Sequence, residues 1–156
     1  MTLKQKLITS LFVFAFAFSY SQKVSAVYRI NDLLKRLNSA DTVYVVNFWA
    51  TWCKPCVEEL PAFDSLTAYA SGSKIKVLLV CLDFREELEK KVNPFLLRKN
   101  IRSECILLDE SNGNDFINKI NPTWSGAIPA TLFKKNKAER FFEKKMKLED
   151  LKKEVY

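Results

Sequence analysis

The chain alternates between two kinds of apolar spacing. Between Ala26 and Asn38, the residues Val27, Ile30, Leu33, Leu34 and Leu37 recur at helical intervals, so an amphipathic helix is expected there. Thr42 to Trp49 (TVYVVNFW) is a short, nearly unbroken β-rich run, the pattern of a central strand buried on both faces. A helix is expected from about Cys53 towards Tyr69, with Pro61 as an interior kink. Lys74 to Leu82 reads as a second buried strand. Asp83 then stands where it can cap a helix, with Glu86 as its capping-box partner and Leu88, Val92, Phe95 and Leu96 as the apolar face. Cys105 to Leu108 is a short strand, followed by an Asn112-Gly113 turn and a brief helix around Asp115 to Ile120. Ala130 to Lys135 and Glu139 to Lys144 form a hairpin turning at Asn136-Lys137, and Leu148 to Val155 closes with a helix. Strands alternating with helices before a terminal hairpin predict an α/β fold, a central mixed β-sheet flanked by helices on both faces.

The N-terminus follows a different pattern. Lys4 and Lys6 precede an almost wholly apolar stretch from Leu7 to Phe18, and Ser19, Tyr20 and Ser21 follow. That is the order of a secretory signal peptide, and the apolar run is short for a bilayer span. Cleavage is expected between Ser21 and Gln22, which divides the chain into a signal peptide (1–21) and one compact domain (22–156). The rival reading is an uncleaved signal anchor that tethers the domain to the inner membrane. No cysteine lies near the cut, which argues against a lipoprotein.

Charge narrows the partners. The formal charge is +7, of which Lys4 and Lys6 leave with the signal, and the chain has no histidine. The remaining lysines are spread among Glu and Asp, as on a solvated surface rather than a nucleic-acid patch.

The chemistry concentrates in "NFWATWCKPCVEELP", Asn47 to Pro61. A structural zinc site wants four Cys or His ligands, whereas Cys81 and Cys105 lie singly inside expected strands, so no metal is expected. Those two read as reduced core residues, a bridge between them being the lesser alternative. The absence of histidine also excludes a Cys–His nucleophile. A Cys53–Cys56 disulfide closes so small a loop that it constrains the unfolded chain little, which suits a bond meant to open and close. A strand ending at Trp49 and a helix beginning at Cys53 place the first cysteine at a helix N-terminus, where free N–H groups and the macrodipole favour a thiolate. Cys56, one turn later, points inward. Cys53 is therefore expected to exchange with the client and Cys56 to resolve the mixed disulfide. Lys54 and Pro55 lie between them and are expected to tune the potential. Trp49 is expected in the core, Trp52 on the rim that substrate touches, and Trp124 as a loop anchor near Pro129.

"FWATWCKPC", with Pro61 five residues after Cys56 and "AIPATLF" downstream, resembles the thioredoxin superfamily. The export signal, Asn47 and "CVEELP" are similar to the bacterial TlpA/ResA-like envelope thiol–disulfide oxidoreductases, over roughly Asp41 to Phe142. The resemblance implies a thioredoxin-like fold, a periplasmic location and no cofactor. It implies that Pro129, preceded by Ile128, is cis and faces the cysteines. It further implies that Glu59 tunes or moves protons there, since Asn47 stands where cytoplasmic thioredoxins carry an aspartate. The implied activity is reduction of protein disulfides by a monomer, supplied with electrons by a membrane donor, with apocytochrome c cysteines among the implied clients. Two alternatives stand beside it: a periplasmic dithiol oxidant, and a non-catalytic client-binding module. A peroxidase reading lacks the threonine-before-cysteine arrangement with its arginine. The glycine that usually closes the last hairpin is missing, and Asn136 is expected to take the left-handed position.

Overall fold

The computed structural model describes residues 22–110 and 113–155. The expected signal peptide and the Asn112 half of the Asn112-Gly113 turn lie outside the described residues. In chain order the elements are β1 (Ala26–Tyr28), α1 (Ile30–Arg36), β2 (Val43–Trp49), α2 (Lys54–Tyr69) and β3 (Ile75–Cys81). A 3₁₀ turn (Arg85–Glu87) and a π-helical turn (Leu88–Val92) lead into α3 (Asn93–Lys99). Then follow β4 (Glu104–Leu108), α4 (Gly113–Ile120), β5 (Ala130–Lys135), β6 (Ala138–Phe142) and α5 (Leu148–Val155).

The strands form one mixed sheet in the order β1-β4-β3-β2-β5-β6. β2 pairs parallel with β3, from Val43↔Ile75 to Trp49↔Cys81, and antiparallel with β5. Its apolar run is nearly unbroken because both of its faces are covered. Val45 and Trp49 pack with Phe63, Leu66 and Leu151 on one side. Val46 and Phe48 pack with Leu33, Leu37 and Ile120 on the other. Asn47 falls on the first side by the strand's period of two, facing α2.

Two expectations need correction. The helix expected from Ala26 to Asn38 is a strand and a shorter helix. β1 pairs with β4 (Ala26↔Ile106), and Val27 is 37% exposed rather than part of a buried face. The helix starts only at Ile30, where the Arg29 N–H donates to the Asp32 carboxylate at 3.1 Å. The second correction concerns Asp83, which caps nothing. Its carboxylate turns inward, and the chain passes through 3₁₀ and π turns before α3. Pro94 accounts for the wide turn, since it has no N–H to complete an α-helical ladder with Lys90. The last hairpin turns through Asn136, whose φ is 54°, and β6 ends at Phe142.

Candidate active site

β2 leaves the sheet at Trp49, and the Ala50–Cys53 turn closes with Cys53 N–H donating to Ala50 O at 3.1 Å. Cys53 is the N-cap of α2, and its sulfur accepts from the Cys56 N–H at 3.3 Å. The two cysteines form a disulfide, S–S 2.01 Å and Cα–Cα 5.3 Å. Cys56 is fully buried, whereas Cys53 keeps 6% exposure and alone reaches the surface. Lys54 and Pro55 are exposed beside them, and Trp52 is 62% exposed on the preceding turn.

The Ile128–Pro129 peptide bond is cis, and Cys53 Sγ lies 3.7 Å from Ile128 O. The backbone before Pro129 thus borders the more accessible sulfur. Trp124 holds the loop that leads there. It is buried with ring centroids 4.8 Å from Phe48 and 5.5 Å from Phe141, and its Nε1 donates to Ala127 O at 2.8 Å.

Of the two adjacent glutamates on α2, Glu59 points inward. It is 1% exposed. Its Oε1 accepts from Asn47 Nδ2 at 2.6 Å and its Oε2 from the Met146 N–H at 2.7 Å. Burial pushes its carboxyl up to about 7, opposed by those two hydrogen bonds and by the charge of Lys145. Glu58 is exposed and accepts from Lys145 Nζ at 2.7 Å, which holds its carboxyl below the usual range. The family resemblance pointed to Glu59. Sequence reasoning missed Asn47 and Met146 as donors to Glu59, because one comes from the sheet and the other from a segment 87 residues away.

Cys81 and Cys105 are free thiols in adjacent strands, and burial pushes both well up, so neither is a ready nucleophile. Among the described residues, no group of cysteine and carboxylate side chains suits a metal ion. No helix among them is long and apolar enough to cross a membrane. Chemically, the site offers one accessible sulfur, one buried sulfur, and a buried acid one helical turn from the latter.

Known proteins place this arrangement. The model of the AhpC/TSA family matches residues 28–137. The chain is 33% identical over 61 residues to thioredoxin of Malassezia sympodialis, covering 39% of this chain and 58% of that protein. It is 46% identical over 52 residues to thioredoxin-like protein YneN of Bacillus subtilis, covering 33% of this chain and 29% of the relative. The matched stretch is therefore less than two thirds of either relative. Among solved structures, StoA from Bacillus subtilis superposes with a TM-score of 0.60 at 20% identity, covering 76% of this chain and 85% of that one. That likeness, at such identity, is one of fold. The sheet has a thioredoxin-like fold, and with the family match spanning most of the described chain, the chain belongs to the AhpC/TSA family.

Proposed function

We propose that the chain is a thiol–disulfide oxidoreductase of the bacterial envelope, acting as a reductase of protein disulfides through Cys53 and Cys56. The observation that carries this reading is the disulfide at the start of α2, with one sulfur buried and the other open beside the Ile128 carbonyl.

In the reduced protein, the Cys53 thiolate attacks one sulfur of a client disulfide. The client's other sulfur leaves as a thiolate and takes up a proton. Cys56, losing its proton to Glu59, then attacks Cys53 in the mixed disulfide. That step re-forms the Cys53–Cys56 bond and releases the client's second thiolate, so that two electrons pass to the client. Trp52 and the Ile128–Pro129 backbone form the edge on which an extended client segment lies, in the manner of an added strand. Lys54 and Pro55 border the reactive sulfur and tune its potential. Electrons return from a thiol donor, for which a membrane protein is proposed. Residues 1–21 serve as the export signal, so exported protein should begin at Gln22.

Redox equilibration of residues 22–156 in glutathione buffers tests the direction. A potential near that of thioredoxin, about −270 mV, supports a reductase, while one near about −120 mV makes the protein an oxidant. Turnover of a disulfide substrate separates enzyme from client holder. Cys56→Ser should accumulate mixed disulfides through Cys53; a variant that traps none removes the assigned roles.

A further inference from the structure

Asp83 is a buried carboxylate that the exchange scheme does not use. Its side chain has no exposure, yet it stands at the end of β3, beside the turn that delivers Cys53. Oδ2 accepts from the Thr51 N–H at 2.7 Å, and Oδ1 accepts from Thr51 Oγ1 at 2.5 Å. A parallel contact between the same two loops runs from Leu82 N–H to Trp49 O at 2.8 Å.

Thr51 and Trp52 are the two central residues of the Ala50–Cys53 turn. The Thr51 N–H has no partner within that turn, and Asp83 takes it. A two-point bond to one residue fixes orientation as well as distance. The charged groups around Asp83 are few. The Cys81 thiol of β3 donates to Oδ2 at 3.2 Å, and Lys91 Nζ lies 3.6 Å from Oδ1. Cys105 of β4 is close enough for the Asp83 charge to raise it, and Glu87 shares Lys91 at 3.2 Å. The π-helical turn carries Lys91 to this place. A carboxylate so buried is costly unless its donors are fixed, and here two of them come from the turn two residues before the reactive sulfur.

We propose that Asp83 is a positioning residue for Cys53: its carboxylate clamps the Ala50–Cys53 turn and so holds the sulfur at the head of α2. This rests on the reading of Cys53 as the exchanging sulfur. In that position, Cys53 draws stabilisation of its thiolate from the N–H groups of α2, and a slack turn removes part of it.

The test uses the purified chain and the variants Asp83→Ala, Asp83→Asn and Thr51→Val. Asparagine keeps both contacts, because its Oδ1 can accept from Thr51 N–H while its Nδ2 donates to the Thr51 hydroxyl. Each reduced protein is alkylated with iodoacetamide across pH, with peptide mapping to identify the cysteine, and its thermal midpoint is recorded alongside. Asp83→Ala should slow alkylation of Cys53 at neutral pH about tenfold and move its profile to higher pH, with recovery in Asp83→Asn. Thr51→Val, which loses one of the two contacts, should slow it about threefold and remains informative where Asp83→Ala does not fold. Variants that lower the thermal midpoint while leaving the rate and pH profile of Cys53 unchanged would make Asp83 purely structural and overturn the proposal. Mapping of wild-type alkylation to Cys56 would instead overturn the reading of Cys53 itself.

Discussion

Glu59 keeps its proton to near neutrality because burial strips water from its carboxyl, an effect that outweighs the opposing hydrogen bonds from Asn47 and the Met146 N–H. Its carboxyl rises from 4.5 to about 7, so the folded protein binds a proton that the unfolded chain has already lost. The linkage has a definite sign. Below about pH 4.5 both states are protonated and the stabilising contribution is complete; it is lost as pH rises towards 7, by about 3 kcal/mol. Urea titrations of wild type and Glu59→Gln between these limits should show the slope in wild type and a flatter line in the variant. Equal slopes would mean that another group carries the titration. In exchange assays, Glu59→Gln should slow the reaction and remove an inflexion near neutral pH, while Glu58→Gln should have a much smaller effect. Because the Lys145 charge lowers the Glu59 carboxyl, Lys145→Met should move that inflexion to higher pH and Lys145→Arg should restore it. An inflexion indifferent to both would leave Lys145 as a partner of Glu58 alone.

At the scale of elements, spacing was a reliable guide wherever one periodicity covered a whole segment. The run at β2, the helix after the cysteines and the closing α5 were legible for that reason. Reading failed where a segment changes state within a few residues. Val27 shares helical spacing with Ile30 and Leu33, yet β1 gains ladder bonds to β4 that no local pattern announces. Asp83 has the composition of a cap, but it satisfies a turn 32 residues away in sequence. In the candidate site, the cysteines were visible through local spacing and Glu59 through the family resemblance, whereas the Met146 and Thr51 donors depend on tertiary contacts. Asn136 offers a clean element-level check, since its φ of 54° is costly for a branched side chain. Asn136→Val should lose about 1 kcal/mol in denaturant titration, with Asn136→Gly at least as stable as wild type. A valine variant of undiminished stability would mean that the turn readily adopts another form.

Across the whole molecule, the sheet separates two apolar layers, and the cysteines emerge from the layer that α2 and α5 cover. Phe63 sits fully buried in it. Phe63→Ala should destabilise the protein by about 3–5 kcal/mol in chemical denaturation, and a loss below 1 kcal/mol would indicate a layer that collapses around the gap. The same layer is completed late in the chain. The residue that holds Glu59 Oε2 is Met146, four positions beyond the end of β6, and Leu151 of α5 lies in the same layer. Chains are made from the N-terminus. A nascent or prematurely terminated protein that stops at Phe142 therefore carries both redox sulfurs without the cover of its acid. Its Glu59 would lack the cover of the Met146 segment and α5, so the burial that raises its carboxyl is complete only once the residues beyond β6 are in place.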